Sequence, residues 1–188
     1  MKIVGFTGAK YAGKDTAARA LVSGGFVKVS FAGPMKLMVG ELMKYRGATN
    51  DAIWEALEGS QKETPCKFLS GQTPRRVLQT IGTEWGRDML TQSFWLDAFQ
   101  DRVQAIREKP YSSRGIVVTD VRFDNEAQMI LDQGGQVYRV VRPGLAGGDV
   151  HVSEKGVSDH FITHTFVNDL PYPEDFCVRV HQHFFPQD

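Results

Sequence analysis

Gly8-Ala9-Lys10-Tyr11-Ala12-Gly13-Lys14-Asp15-Thr16 is the stretch on which the reading of this chain turns. Just ahead of it, Ile3, Val4 and Phe6 form a short apolar run that predicts a strand. Just after it, Ala17, Ala18, Ala20 and Leu21 continue a helix that Lys14 and Asp15 open. The G-x4-G-K spacing between a strand and a helix is that of a phosphate-binding loop. Glycines let the backbone turn so that its N–H groups point at phosphate oxygens, and the helix N-terminus adds a partial positive charge. Lys14 supplies a mobile ammonium for the outer phosphates of a nucleoside triphosphate. Asp15 stands where Ser or Thr usually follows the lysine, and Thr16 comes one residue late. A carboxylate at that place can ligate magnesium directly or through water, because magnesium prefers oxygen ligands. The plainer alternative is a Gly-rich turn that only connects strand to helix; Lys14 and the flanking elements argue against it.

The rest of the composition is restrained. A chain of 188 residues fits one domain with a small insertion. It carries 22 basic and 22 acidic residues, so nothing in the net charge favours polymeric nucleic acid or a membrane surface. Cys66 and Cys177 have no metal-ligand spacing and read as free thiols of a reducing compartment. The first apolar run is too short for a signal peptide, and no stretch approaches a membrane span. The expected location is the cytoplasm.

Outward from the loop, β-rich runs at 2–7, 26–31, 115–121 and 136–142, with a weaker one at 160–166, alternate with helix-like stretches. This predicts an α/β layered fold around a mainly parallel five-stranded sheet. Ile116-Val117-Val118 suits a strand covered on both faces. The middle of the chain, 34–110, reads as almost wholly helical: 34–45, a turn or two at 51–57, a helix opened by Thr73-Pro74, and another over 95–108. Met35, Met38 and Met43 read as core rather than as a ligand surface. Residues 123–133 predict a further helix. The Gly-rich 143–158 reads as a lid-like loop. Residues 174–185 fit helix and strand alike.

Four further groups carry chemistry. Asp120 ends the Ile116–Thr119 run, where a carboxylate can sit near magnesium. Arg122, just beyond, can clamp phosphate with two N–H groups, whereas Asp124 reads as the cap of the next helix. In Thr73–Arg87, Arg75 and Gln79 share a helical face with Gly82 or Thr83. There Arg offers a fork to phosphate, Gln reads a base edge and Trp85 stacks on a base; a solvated basic face with Trp85 in the core fits the pattern equally. Lys36, after the second strand, lies near the sheet's working edge or is an ordinary surface lysine. His151, Ser153 and Glu154 read as polar lid residues rather than a zinc site.

Together, Gly8–Thr16 with its Gly-Lys-Asp-Thr ending, Ser30-Phe31-Ala32 with Lys36, Thr73-Pro74-Arg75 through Gln79 to Gly82-Thr83-Glu84-Trp85-Gly86-Arg87, Thr119–Glu126, Arg142-Pro143 and His151 with Ser153-Glu154 resemble the bacteriophage deoxynucleoside monophosphate kinases. The resemblance runs from residue 3 to about 160. The phosphate loop is shared by many enzymes; the Thr73–Arg87 and Asp120–Glu126 blocks are more specific. The resemblance implies a P-loop kinase three-layer fold in a single domain, 1–188, with 34–110 as the acceptor-binding section. It implies ATP with Mg2+ as phosphoryl donor and a deoxynucleoside 5′-monophosphate as acceptor. Gly33 departs from the Asp often found there in that family. The stretch 163–188 matches weakly, and no role is carried onto it.

On this reading Gly8, Ala9, Lys10, Ala12, Gly13, Lys14, Asp15, Thr16 and Arg142 hold ATP. Asp15 and Asp120 organise magnesium. Lys36, Arg75, Gln79, Trp85 and Arg87 hold the acceptor, and Lys14, Arg87, Arg122 and Asp120 serve the transfer. An apolar face on the helical section would allow a homodimer. The alternatives are a kinase for another small phosphorylated metabolite and a regulatory protein that binds ATP without transferring phosphate.

Overall fold

Alternation at the N-terminus sets the frame. In β1 (Lys2–Thr7) every residue after Lys2 is buried, Val4 and Phe6 on one face and Ile3 and Gly5 on the other. A strand covered on both faces calls for helices on both sides of its sheet. The computed structural model, which describes residues 1–109, 113–145 and 156–186, has that arrangement. Five strands, β1, β2 (Phe26–Val29), β3 (Gly115–Val118), β4 (Gln136–Val141) and β5 (Ile162–Val167), form one all-parallel sheet in the order β2-β3-β1-β4-β5. Lys2 pairs with Gly115, and Val4 with Gln136, so β1 lies at the centre. The α/β three-layer class expected from the sequence is the fold observed.

Helix α1 (Lys14–Ser23) and helix α7 (Pro173–Phe184) cover one face. Ala17, Ala18 and Leu21 of α1 and Phe176 and Val180 of α7 pack with Val4, Phe6, Val117, Tyr138, Val140 and Phe166 of the sheet. Complete burial of a side chain such as Phe176 contributes roughly 1.5–3 kcal/mol. On the other face, α6 (Asp124–Asp132) sets Ile130 so close to Gly5 that a Cβ there would meet its Cδ1 at 2.7 Å. The stretch 174–185, open between helix and strand in the sequence, is helical. Phe176, Val178 and Val180 alternate as a strand would, but Val178 is exposed while Phe176 and Val180 are fully buried.

The chain divides into two compact units, one of Met1–Ser30 with Gln100–Asp188 and one of Phe31–Phe99. The second is helical, with α2 (Gly33–Tyr45), α3 (Asn50–Leu57), α4 (Pro74–Thr80) and the start of α5 (Phe94–Arg107). Its core gathers Val39 and Met43 of α2, Ala56 and Leu57 of α3, and Leu69. Met35 and Met43 are core, as expected; Met38 instead is 46% exposed. It shares α2 with exposed Leu37, Leu42 and Tyr45.

One element was not anticipated. Helix α4 runs without a break into a π-helical stretch, Ile81–Leu90. Its wider turn ends with the Thr91 N–H donating to the Gly86 carbonyl five residues back at 3.1 Å. Trp95 explains the local geometry. Its indole N–H donates to the Gly82 carbonyl at 2.9 Å, and its ring lies where a Cβ on Gly86 would be, 2.2 Å from Nε1. Such stretches are rare inside helices and concentrate at functional sites.

Candidate active site

The site is built first on the loop between β1 and α1. Gly8 has φ 133, and a Cβ there would lie 2.1 Å from the Val140 carbonyl oxygen at the end of β4. Gly13, at φ 110, is the N-cap of α1. At both positions the left-handed backbone and the lack of space demand glycine. At the tip, Tyr11 adopts φ 63, is 72% exposed and has the Lys10 ammonium 4.8 Å above its ring. The Lys14 ammonium folds back over the loop and donates to the carbonyls of Gly8 at 2.7 Å and Ala9 at 2.8 Å. The first bond of α1 runs from the Ala17 N–H to the Gly13 carbonyl, so the N–H groups of Lys14, Asp15 and Thr16 lie before the first intrahelical partner. The N-terminus of α1 and the Lys14 ammonium thus meet at the Gly8–Gly13 loop, which suits a polyphosphate.

Asp15 is turned outward. Its carboxylate is 78% exposed and accepts from Lys28 of β2 at 2.6 Å.

Because the strands are parallel, their carboxyl ends share one rim. The chain winds from β1 towards β2 on one side and from β3 towards β4 on the other, so the reversal falls beside β1. Beyond β3 the buried Thr119 leads to half-buried Asp120, and the Val121 N–H donates to the Phe6 carbonyl at 3.3 Å. The buried Glu126 carboxylate accepts from the backbone N–H groups of Arg122 at 2.7 Å and Phe123 at 3.2 Å. That closes the strand-to-helix turn and fixes where Arg122 leaves the backbone. Asp124 does not cap α6, contrary to the sequence expectation. Phe123 holds the N-cap position, and the Asp124 carboxylate instead accepts from the Ser158 N–H at 2.8 Å and hydroxyl at 2.6 Å. Those two bonds hold the carboxyl of Asp124 below the ordinary range. Arg142 follows β4 and is exposed. Most of the expected lid, with His151, Ser153 and Glu154, lies outside the described residues.

The helical unit carries the second set. Thr73 caps α4, its side chain accepting from the Arg76 N–H at 3.2 Å, with Pro74 at the first helical position. Arg75 pairs with Glu63, and Lys36 pairs with Glu58 at 2.8 Å. Gln79 is notable among the described residues: its side-chain Nε2 is buried and meets no acceptor. Trp85 is half-buried, edge-on to Phe94 at 5.5 Å and tilted to Trp95 at 6.0 Å. Arg87 is 5% exposed. Its guanidinium donates to the Gln92 carbonyl at 3.4 Å, and the Gln92 amide donates back to the Arg87 carbonyl at 3.1 Å. Trp85 and Arg87 lie in the π-helical stretch that continues α4, beyond the α-helical turns that carry Arg75 and Gln79.

The expected residues therefore fall into two groups. Gly8–Thr16, Asp120, Arg122 and Arg142 gather at the carboxyl ends of β1, β3 and β4. Lys36, Arg75, Gln79, Trp85 and Arg87 belong to the helical unit. One residue escaped the sequence reading. Asn168, directly after β5, is 5% exposed, and its amide donates to the Ala12 carbonyl of the loop at 2.8 Å. The available signal was a polar residue closing a strand in a stretch to which no role had been given.

The two carboxylates expected at a magnesium ion, Asp15 and Asp120, are hard oxygen donors of the kind that ion prefers. Among the described residues no three His, Cys, Asp or Glu side chains gather to hold a metal unaided. The donor set thus fits an ion that brings phosphate oxygens with it, not a cage built by protein alone.

Comparison with known proteins adds a family. Residues 71–170 match the family model for deoxynucleotide monophosphate kinase. A protein of Acanthamoeba polyphaga mimivirus, described as a deoxynucleotide monophosphate kinase, is 36% identical over 163 residues, covering 82% of this chain and 81% of that protein. The deoxynucleoside-5′-monophosphate kinase of Escherichia phage T5 is 32% identical over 103 residues, covering 51% of this chain and 39% of the phage protein.

Proposed function

Since the chain belongs to the deoxynucleotide monophosphate kinase family, we propose that it transfers the γ-phosphoryl group of ATP to the 5′-phosphate of a deoxynucleoside monophosphate. The observation that carries this reading is the Gly8–Gly13 loop at the end of β1, with the N-terminus of α1 and the Lys14 ammonium folded over it. Two polyanions must meet, so the protein's work is charge neutralisation and in-line positioning.

Main-chain amides from Ala9 to Gly13 hold the β-phosphate. Lys14 leaves the Gly8 and Ala9 carbonyls to bridge β and γ oxygens, a short swing because its donors already sit at the loop. Thr16 contacts the α-phosphate side, and Arg142 lies by the donor nucleotide. Asp15 and Asp120 are the carboxylates that would hold magnesium, which bound there would supply positive charge to offset that of the phosphates. The attacking phosphate oxygen is already ionised, so no general base is required.

Arg75 and Arg87 of the helical unit hold the acceptor phosphate, with Lys36 as a further acceptor contact, and Arg122 beyond β3 serves the transfer. Gln79 meets the base edge, and Trp85 flanks the base. Two features support the acceptor role of the helical unit: a buried Gln79 Nε2 that meets no acceptor among the described residues, and a guanidinium in Arg87 held in place by Gln92. Exposed Leu37, Met38, Leu42 and Tyr45 on α2 offer a face for a second copy of the chain, which sedimentation would reveal as a dimer.

The test is ADP release in a coupled assay. ADP should form with ATP and magnesium only when a deoxynucleoside monophosphate is added, and the diphosphate should appear in equal amount. ADP formation indifferent to added monophosphate would overturn the reading.

A further inference from the structure

We propose that Asn168 is a positioning residue for the donor-phosphate loop, so that the β5–α7 corner belongs to the ATP site. A trans peptide is planar, and its C=O and N–H point in opposite directions. The Asn168 amide draws the Ala12 carbonyl to itself at 2.8 Å. It thereby turns the N–H on the other side of the same peptide, that of Gly13, towards the loop mouth where a phosphate would sit. The fit admits little slack, since a Cβ on Gly13 would lie 2.5 Å from Asn168 Nδ2 and 3.4 Å from the Phe176 ring.

Asn168 is itself anchored. Its backbone N–H donates to the Val141 carbonyl at the end of β4 at 2.7 Å. Next to it, the Arg179 guanidinium donates to the Val167 carbonyl at 2.7 Å and to the Asp169 carboxylate at 2.8 Å, bracing the corner against α7. Ala12, fully buried, packs in the same core as Phe176 and Val180 of that helix. A side chain one hundred and fifty-six residues away thus fixes the orientation of one loop peptide.

The proposal rests on the loop being the ATP site. It is tested with Asn168→Ala and with Asn168→Asp, which keeps the shape and removes the donor. Calorimetry with ATP should show the dissociation constant rising about tenfold in both, as expected when a buried carbonyl loses its partner. The KM for the monophosphate should stay within about twofold of wild type by the same reasoning, because the lost bond lies in the donor loop. Asn168→Asp binding ATP as wild type does, or equal losses for ATP and monophosphate, would overturn the proposal.

Should neither variant fold, the wild-type protein decides by NMR. A scalar coupling across the bond from Asn168 Nδ2 to the Ala12 carbonyl, with a side-chain amide signal that ATP shifts and monophosphate alone does not, is expected; absence of the coupling overturns it. Wild-type protein that binds no ATP would instead sink the kinase reading, and this proposal with it.

Discussion

Replacing Gln79 by Met should make the protein more stable and a worse kinase. The two side chains are close in volume, and their helix propensities are nearly equal, so α4 is little disturbed. What changes is a buried amide whose Nε2 finds no acceptor. An unmet buried donor costs roughly 1–3 kcal/mol, and removing it returns that amount. For a chain of this size each kcal/mol raises Tm by about 2–4 °C, so a rise of about 2–12 °C is expected by calorimetry or circular dichroism. The opposite sign is expected in catalysis. If the amide exists to meet a base edge, its loss leaves a polar group of the bound base unpaired, and kcat/KM for the monophosphate falls about tenfold or more. KM for ATP should not move. A lower Tm together with an unchanged kcat/KM would refute the argument, because the amide would then be making an ordinary structural contact.

Other tests follow from the same geometry. Lys14→Ala should abolish transfer while leaving the far-ultraviolet spectrum and the cooperative unfolding transition intact; an active variant would remove the loop from the mechanism. Arg87→Ala should depress kcat/KM for the monophosphate far more than ATP binding, and equal losses by titration and kinetics would reject an acceptor role. Asp124 gives a pH dependence. Its folded carboxyl titrates below its ordinary value because of Ser158, so its contribution is complete above pH ~4 and is lost as pH falls through the folded value. Acid unfolding of Asp124→Asn should therefore show a weaker loss of stability below pH ~4 than wild type; identical acid curves would show that the Ser158 bonds contribute nothing.

Much of the fold was legible because the informative residues are local. Gly8, Gly13 and Lys14 announce their loop by spacing alone, and the Ile116–Val118 run announces a doubly covered strand. Thr73-Pro74 marks a helix start through hydroxyl and missing N–H. What escaped was set by residues distant in sequence. Nothing in Ile81-Gly82-Thr83 signals a wider helical turn; the cause is Trp95, whose indole claims the Gly82 carbonyl and whose ring occupies the space beside Gly86. Asp124 sits where a cap is common, but Ser158 competes for its carboxylate. Asn168 acts on Ala12 from the other end of the chain, and no local pattern encodes such a bond. The reading of 174–185 stayed open because Phe176, Val178 and Val180 satisfy period two and nearly satisfy period four, and only burial separates them.

The central place of β1 also governs the order in which the molecule can be made. β1 must wait for both of its neighbours, which lie far downstream, since Lys2 pairs with Gly115 and Val4 with Gln136. Closing such long loops carries an entropy cost that local contacts cannot offset, whereas Phe31–Phe99 joins neighbouring helices. On the ribosome the helical unit is complete while the amino-terminal strand still lacks a partner. β5, Asn168 and α7 emerge long after the loop between β1 and α1, so the bond from Asn168 to the Ala12 carbonyl can form only once that downstream stretch has folded.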